Sequence, residues 1–425
     1  MKKCIVIGGG FAGLSAASFL CSKGFKVKLI EASPKLGGRA YSFNDKATGD
    51  VVDNGQHIMM GCYSETLSFL NLINAEKNFE FQKNLKINFV TENADIIELK
   101  VPAIPYPINL MIGLLRYRAI PLKDRLGIIN FFISLFFTNT NSLNNKSVLQ
   151  WLRGKKQTEK TIQSLWAIIA IGALNTNLEK ASASMFANIL KQIFLKGNFN
   201  STIILPATGL SESYVKSASD YILSNGGEIK TSEQVDTIEV VNEKAHVIKT
   251  SSGIEKDFDF VLFAVPHFAL NKITGADELT MIEFEYSPIL TFHVWLENNN
   301  LEKTFYGLIG SELHWVFNKV THLTIVISDA GHLIKKEDDA LIQIVKRELK
   351  KYLNIHESDV KNIRIIKEKR ATFVPSNKIE NGRPSAKTKL KNVFLAGDWT
   401  NTNLPSTIES AVLSARLAVD EILLQ

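Results

Sequence analysis

Three cysteines in 425 residues leave this chain without the means for a disulfide framework. Cys4, Cys21 and Cys62 are odd in number and show no CxxC spacing. They read as small buried apolar residues in a protein of a reducing compartment. Glycine and proline are also sparse, at 25 and 11 residues, which excludes collagen-like and low-complexity classes. Charge of one sign is in short supply. With 49 basic and 43 acidic side chains the net is only +6, too thin for a dedicated nucleic-acid binder, so no nucleic-acid partner is expected. No apolar run reaches the roughly 18 residues of a membrane span. The nearest, 126–137, is broken by Asn130 and Ser134. The eight histidines form no HxH or HExxH spacing, so a metal site is not expected. Only Cys4–Ile7 is apolar ahead of three glycines, too short for a secretory core. The expected location is cytoplasmic, with peripheral contact to the inner membrane face as an option.

What is present is punctuation. At roughly 150 residues per domain the length suggests two or three domains. Gly8-Gly9-Gly10-Phe11-Ala12-Gly13 fits GxGxxG between an apolar run, Cys4–Ile7, and a stretch of helical spacing, Phe11–Ser22. Glu31 ends the next strand, at the distance past Gly13 where a ribose-binding acid belongs. This is the dinucleotide fingerprint. Gly8 permits the tight turn, Gly10 lets the backbone approach a pyrophosphate, and Gly13 lets helix and strand pack closely. The N–H groups of the helix start meet the phosphates. Glu31 would accept from the ribose hydroxyls, which disfavours a 2′-phosphate. Downstream, Leu36-Gly37-Gly38-Arg39 adds two glycines and a fork of donors. Near the other end, Phe394-Leu395-Ala396-Gly397-Asp398-Trp399 reads as a strand entering a turn, followed by a helix start at Ser406-Thr407-Ile408-Glu409.

Between these blocks, the stretch from about Asn71 to Phe199 reads as mostly helical. Short strands follow at Gln234–Val241, His246–Thr250 and Phe258–Ala264. A second mixed section has strands near Leu290–Leu296 and Leu323–Ser328 and a helix near Asp338–Leu353. Asp53-Asn54-Gly55-Gln56-His57 is a polar cluster with two readings. Either it sets Gln56 and a titratable His57 at a reacting centre, or Asp53 and His57 satisfy local backbone groups. The 108–137 region pairs apolar stretches with Arg116, Arg118, Lys123 and Arg125. Most positions from 126 to 137 are large and apolar, too many for a helix with one wet face. That fits a helix hairpin buried in the protein or a patch on a membrane.

These blocks, in this order and spacing, resemble FAD enzymes of the amine-oxidase and carotenoid-desaturase superfamily. Val52–Tyr63, Ala173-Leu174-Asn175-Thr176, Arg370-Ala371-Thr372-Phe373 and Ala396-Gly397-Asp398-Trp399-Thr400 further resemble its hydroxysqualene dehydroxylase subgroup. The resemblance implies an α/β fold with a Rossmann-type FAD-binding domain (1–70, 205–285 and 385–425) interleaved with a mixed α+β substrate domain (71–204 and 286–384). It implies FAD as cofactor, with Asp398 at the ribityl hydroxyls, N–H groups near Ile408 at the flavin pyrimidine, and Val235 beside the adenine. An ordinary strand valine is an equal reading of Val235. Together, Gly8, Gly10, Phe11, Ala12, Gly13, Glu31, Gly38, Arg39, Val235, Gly397, Asp398 and Ile408 are the expected cofactor contacts. The implied substrate is a thirty-carbon isoprenoid alcohol, reduced with His57 and Gln56 as catalytic candidates and the electron donor left open. A carotenoid-type desaturase, an amine oxidase and a flavin-free lipid carrier remain rival readings. The Asn-rich 298–322 stretch departs from the pattern and leaves the edge of the substrate domain undefined.

Overall fold

The structure is a computed structural model describing every residue except Asp277, Glu278, Thr280, Met281 and Asn381. Four of these fall within the 205–285 segment and one within 286–384.

Lys3–Ile7, Lys26–Ile30 and Phe260–Phe263 are short β-rich apolar runs, the pattern of strands covered on both faces. With Glu228–Lys230 and Val393–Leu395 they form a five-stranded, wholly parallel sheet. In chain order the strands lie 3-2-1-4-5. The order reverses beside the first strand, and in open α/β sheets ligands bind outside the carboxyl ends of the strands at that switch point. Ile7, Ile30, Ala264 and Gly397 all lie at those ends. The helix Phe11–Ser22 follows the first strand directly and is buried almost throughout; it packs against the C-terminal helix Ile408–Leu423. The crossover between the second and third strands runs from Ile30 to Glu228 and carries into the second lobe its helices between Ile108 and Phe194 and two strands of its sheet, Lys86–Val90 and Ile96–Lys100.

That lobe is built on a seven-stranded sheet. Its order is Val360–Phe373, Tyr286–Leu296, Leu323–Ile327, Trp315–Asn318, Phe305–Leu308, Lys86–Val90, Ile96–Lys100. All neighbours are antiparallel except Phe305–Leu308 and Lys86–Val90, which pair in parallel although they lie far apart in the chain. The 71–199 stretch is therefore not helical from its start. Phe79–Phe81, Lys86–Val90 and Ile96–Lys100 are strands, the last two forming an antiparallel hairpin. From Ile108 to Phe194 helices do prevail. The Asn-rich stretch also resolves: Phe305–Leu308 and Trp315–Asn318 are central strands.

The 126–137 segment corrects the reading of a fully buried helix hairpin. It belongs to the helix Leu122–Phe137, in which Ile128, Phe131 and Leu135 are buried while Leu126, Ile133, Phe136 and Phe137 are exposed. Full burial does not occur, and among the described residues no helix is long and apolar enough to cross a membrane. The cysteines behave as expected of inert thiols. Cys4 and Cys21 are buried, Cys62 partly so, and burial pushes the Cys21 and Cys62 thiols up to about 11 and about 12.

Candidate active site

A cavity of about 760 Å³ opens at the switch point, between the parallel sheet and the seven-stranded sheet. Its walls include Gly8, Gly10, Phe11, Ala12, Glu31, Gly38, Arg39, Gln56, His57, Val235, Gly397, Asp398 and Ile408. The structure thus gathers residues from both ends of the chain around one space. Gly13 is the exception. It does not line the cavity; a Cβ there would lie 1.7 Å from the Gly8 carbonyl oxygen, so Gly13 serves the packing of helix on turn. Gly8 adopts φ +108 and faces the Ala264 carbonyl, so it too is glycine for the chain. Gly10 differs. Its φ is −82, and a Cβ there would meet only Gly38 Cα, at 3.7 Å. No protein atom demands glycine at Gly10, and the open space in front of it is the cavity.

At one end, the Glu31 carboxylate accepts from Gly9 N at 2.6 Å and from Ser33 N at 2.7 Å. Each oxygen keeps a lone pair for a further donor. Val235 lines the cavity and is also part of the buried core. At the other end, Arg39 Nη2 pairs with Asp398 Oδ1, and Nη1 donates to the Ala371 carbonyl at 2.7 Å. The Arg39 fork is thus turned onto Asp398 and the neighbouring sheet. Burial pushes the Asp398 carboxyl up. The Arg39 charge, hydrogen bonds from Arg39 and Ser406, and the charge of Arg383 outweigh it and hold the group below its ordinary value. Next to Asp398, the helix Ile408–Leu423 opens on the cavity with Thr407 Oγ1 accepting from Ser410 N, which leaves the first-turn N–H groups of Ile408 and Glu409 unused by that cap.

The Asp53–His57 cluster divides. Asp53 is structural, its Oδ1 accepting from Ser42 Oγ at 2.7 Å and Leu210 N at 2.9 Å. Asn54 bridges to the Arg39 segment through Tyr41 N and the Arg39 carbonyl. Gln56 and His57 are left on the cavity wall. Gln56 Oε1 is buried with no hydrogen-bond partner, an acceptor awaiting a donor. Burial pushes the His57 imidazole below its ordinary value; Asp53 and the Arg39 backbone act the other way, and the Arg39 charge lowers it further. The balance favours the neutral imidazole.

Sequence reasoning missed the far wall. Ile289, Thr291, Trp315, Phe317 and Val326 line the cavity from the seven-stranded sheet, and Asn175 joins them. Asn175 sits at a helix end with φ 47 and ties three elements together. It donates to the Ser287 carbonyl and Thr372 Oγ1 and accepts from Asp329 N at 2.6 Å. Arg383 was missed too. Buried, it donates to the Leu404 and Asp398 carbonyls and Thr402 Oγ1, fixing the Gly397–Leu404 loop.

A glycine turn at a sheet switch point, a cavity of dinucleotide size and an orphaned acceptor in its wall define a dinucleotide-binding protein, and the residues present fit an FAD. Comparison with known proteins agrees. The chain belongs to the flavin containing amine oxidoreductase family, whose model matches residues 11–423. It is an FAD-dependent oxidoreductase. It is 27% identical over 423 residues to a hydroxysqualene dehydroxylase of Zymomonas mobilis, spanning 98% of this chain and 97% of that protein. To a 15-cis-phytoene desaturase of Glycine max it is 22% identical, spanning 98% and 79%. Among solved structures, an oxidoreductase from Methanosarcina mazei superposes over the whole of both chains with a TM-score of 0.75 at 18% identity.

Proposed function

We propose that this chain reduces hydroxysqualene to squalene, a step toward hopanoids or other triterpenes. The observation that carries the reading is end-to-end similarity to the Zymomonas hydroxysqualene dehydroxylase. The apolar far wall of the cavity supports it. In this reading Gly8, Gly10, Phe11, Ala12, Gly38 and the helix start hold the pyrophosphate. Glu31 and Val235 hold the adenosine, and Asp398, Gly397 and Ile408 the flavin end. Bound there and reduced, FAD supplies the hydride that closes an allylic cation. The chain's own work is to seat the substrate along Ile289, Trp315, Phe317 and Val326, to exclude water that would recapture the cation, and to help the hydroxyl leave.

His57 is the candidate for that last task. With its imidazolium lowered by burial, the acid form is present only below the ordinary histidine range. Turnover is expected to rise as pH falls toward that lowered value and to level off beneath it. The His57→Ala variant should keep its yellow colour, lose about 10²–10⁴ in rate and lose the pH limb with it. A variant that loses neither takes His57 out of the chemistry.

Similarity to phytoene desaturases supports one second reading, hydride removal from a polyene precursor by oxidised flavin. Direction separates the two. Hydroxysqualene should re-oxidise the reduced enzyme, whereas a phytoene-like substrate that bleaches the oxidised enzyme would favour the desaturase. A thirty-carbon substrate resides in the bilayer, so the reading also brings the chain to a membrane surface.

A further inference from the structure

The helix Leu122–Phe137 shows a second pattern opposite its core side. Leu122, Leu126, Ile133 and Phe137 are exposed, on one side of the helix and continuous through Asn130. The adjoining helix Ile108–Arg116 exposes Ile108 and Met111, continued upstream by Ile104. Phe136 and Phe137 stand 65% and 79% exposed. Around the corner between the helices lie Arg116, Arg118, Lys123 and Arg125. Arg125 is committed to the backbone, donating to the Ile120 and Leu115 carbonyls. Arg116, Arg118 and Lys123 are exposed and have no ion-pair partner among the described residues. The acid beside them, Asp124, accepts from Thr158 Oγ1.

At the far end of this stripe is a second cavity of about 550 Å³, whose walls include Ser134, Phe137, Ser142, Lys146, Trp151 and Lys155. Its lining holds two lysines and no acidic residue. Lys155 Nζ donates to Ser134 Oγ at 2.7 Å, and Lys191 Nζ reaches the carbonyl of Thr138, another wall residue. Trp151 is 3% exposed, and its indole N–H is buried with no acceptor. Cations, hydroxyls and an unanswered N–H without a carboxylate suit an anion. Phe137 belongs both to the stripe and to this cavity, so apolar face and anion site are continuous.

We propose that this face docks on a leaflet containing anionic phospholipid, the stripe entering the acyl boundary and a lipid phosphate seated between Lys146, Lys155 and Trp151. Apolar residues supply sequence-independent insertion, and each lysine near the surface adds attraction to anionic lipid. The proposal deepens the membrane part of the preceding reading and uses none of its redox chemistry, so either can fail alone.

Co-sedimentation of the flavin-loaded protein with vesicles tests it without turnover. Wild type should bind vesicles containing phosphatidylglycerol about tenfold or more tightly than pure phosphatidylcholine. Leu126→Ser with Phe137→Ser should weaken binding to both. Lys146→Gln with Lys155→Gln should reduce the preference about tenfold or more while leaving binding to phosphatidylcholine, and any residue of it should fall to Arg116, Arg118 and Lys123. An unchanged flavin spectrum shows that each variant is folded. Equal affinity of wild type for both vesicles, a preference undiminished by the lysine substitutions, or a self-association that disappears with Phe137→Ser would overturn the proposal, the last in favour of a second copy on this face.

Discussion

Gly10→Val is expected to yield a folded protein that carries no flavin. At most glycines of the nucleotide turn a side chain breaks the chain's own packing, and loss of cofactor then says nothing specific. Gly13→Ala would drive a methyl to 1.7 Å from the Gly8 oxygen, and Gly8 substitution meets the Ala264 carbonyl at 2.7 Å with an unfavourable φ. Those variants should not accumulate as soluble protein. Gly10 has neither obstacle, because its backbone is ordinary and the space ahead of it is the cavity. A branched side chain there occupies the approach to the helix N-terminus, where a pyrophosphate needs backbone N–H groups within hydrogen-bond reach. The expected result is a colourless protein with wild-type circular dichroism and cooperative melting. A yellow Gly10→Val protein would place the pyrophosphate elsewhere.

Asp398→Ala should damage both stability and flavin retention. The carboxylate is buried and paired with Arg39, while Arg383 holds the loop that presents it. Removing one partner of a buried pair costs about 3–5 kcal/mol; Arg39 keeps about a third of its side chain exposed toward the cavity, which favours the low end. In the proposed reading Asp398 also accepts a hydrogen bond from the cofactor, and losing it should weaken flavin binding by about 10–100-fold. The pH dependence has a definite sign. Because the folded-state value of Asp398 lies below its ordinary one, its contribution to stability is complete above the ordinary carboxylate range and is lost as pH falls through the lowered value. Wild type should therefore lose stability in acid more steeply than Asp398→Ala. Parallel acid curves for the two proteins would contradict the pairing.

The nucleotide end of the site was legible in the sequence because its residues act locally. Gly8, Gly10 and Gly13 stand on one turn and Glu31 ends the adjacent strand, so spacing predicts their convergence, whereas Gly397-Asp398, from the other end of the chain, was placed with them only through the family resemblance. The one misassignment there, Gly13 as a contact, comes from a pattern that mixes ligand glycines with packing glycines. The far wall was not legible. Trp315 and Phe317 reach the cavity through strands whose sheet continues into Lys86–Val90, a segment from a distant part of the chain, and no local periodicity encodes that pairing. Arg383 was invisible for a related reason, and Asn175 stood in a family-like block with no role assigned to it, since an arginine or asparagine side chain reveals nothing of the carbonyls it will find. The 126–137 stretch was ambiguous for a different reason. A run so rich in apolar residues cannot say which side is covered, and only the packed structure shows Ile128, Phe131 and Leu135 turned inward with Phe137 left outside.

The central claim concerns the direction of electron flow. The most direct test reduces the flavin-loaded enzyme without oxygen, removes excess reductant and adds hydroxysqualene. The account predicts one squalene per flavin, formed as the oxidised flavin spectrum returns, with no product from Gly10→Val. Folded, fully reduced enzyme that leaves hydroxysqualene unchanged would contradict it.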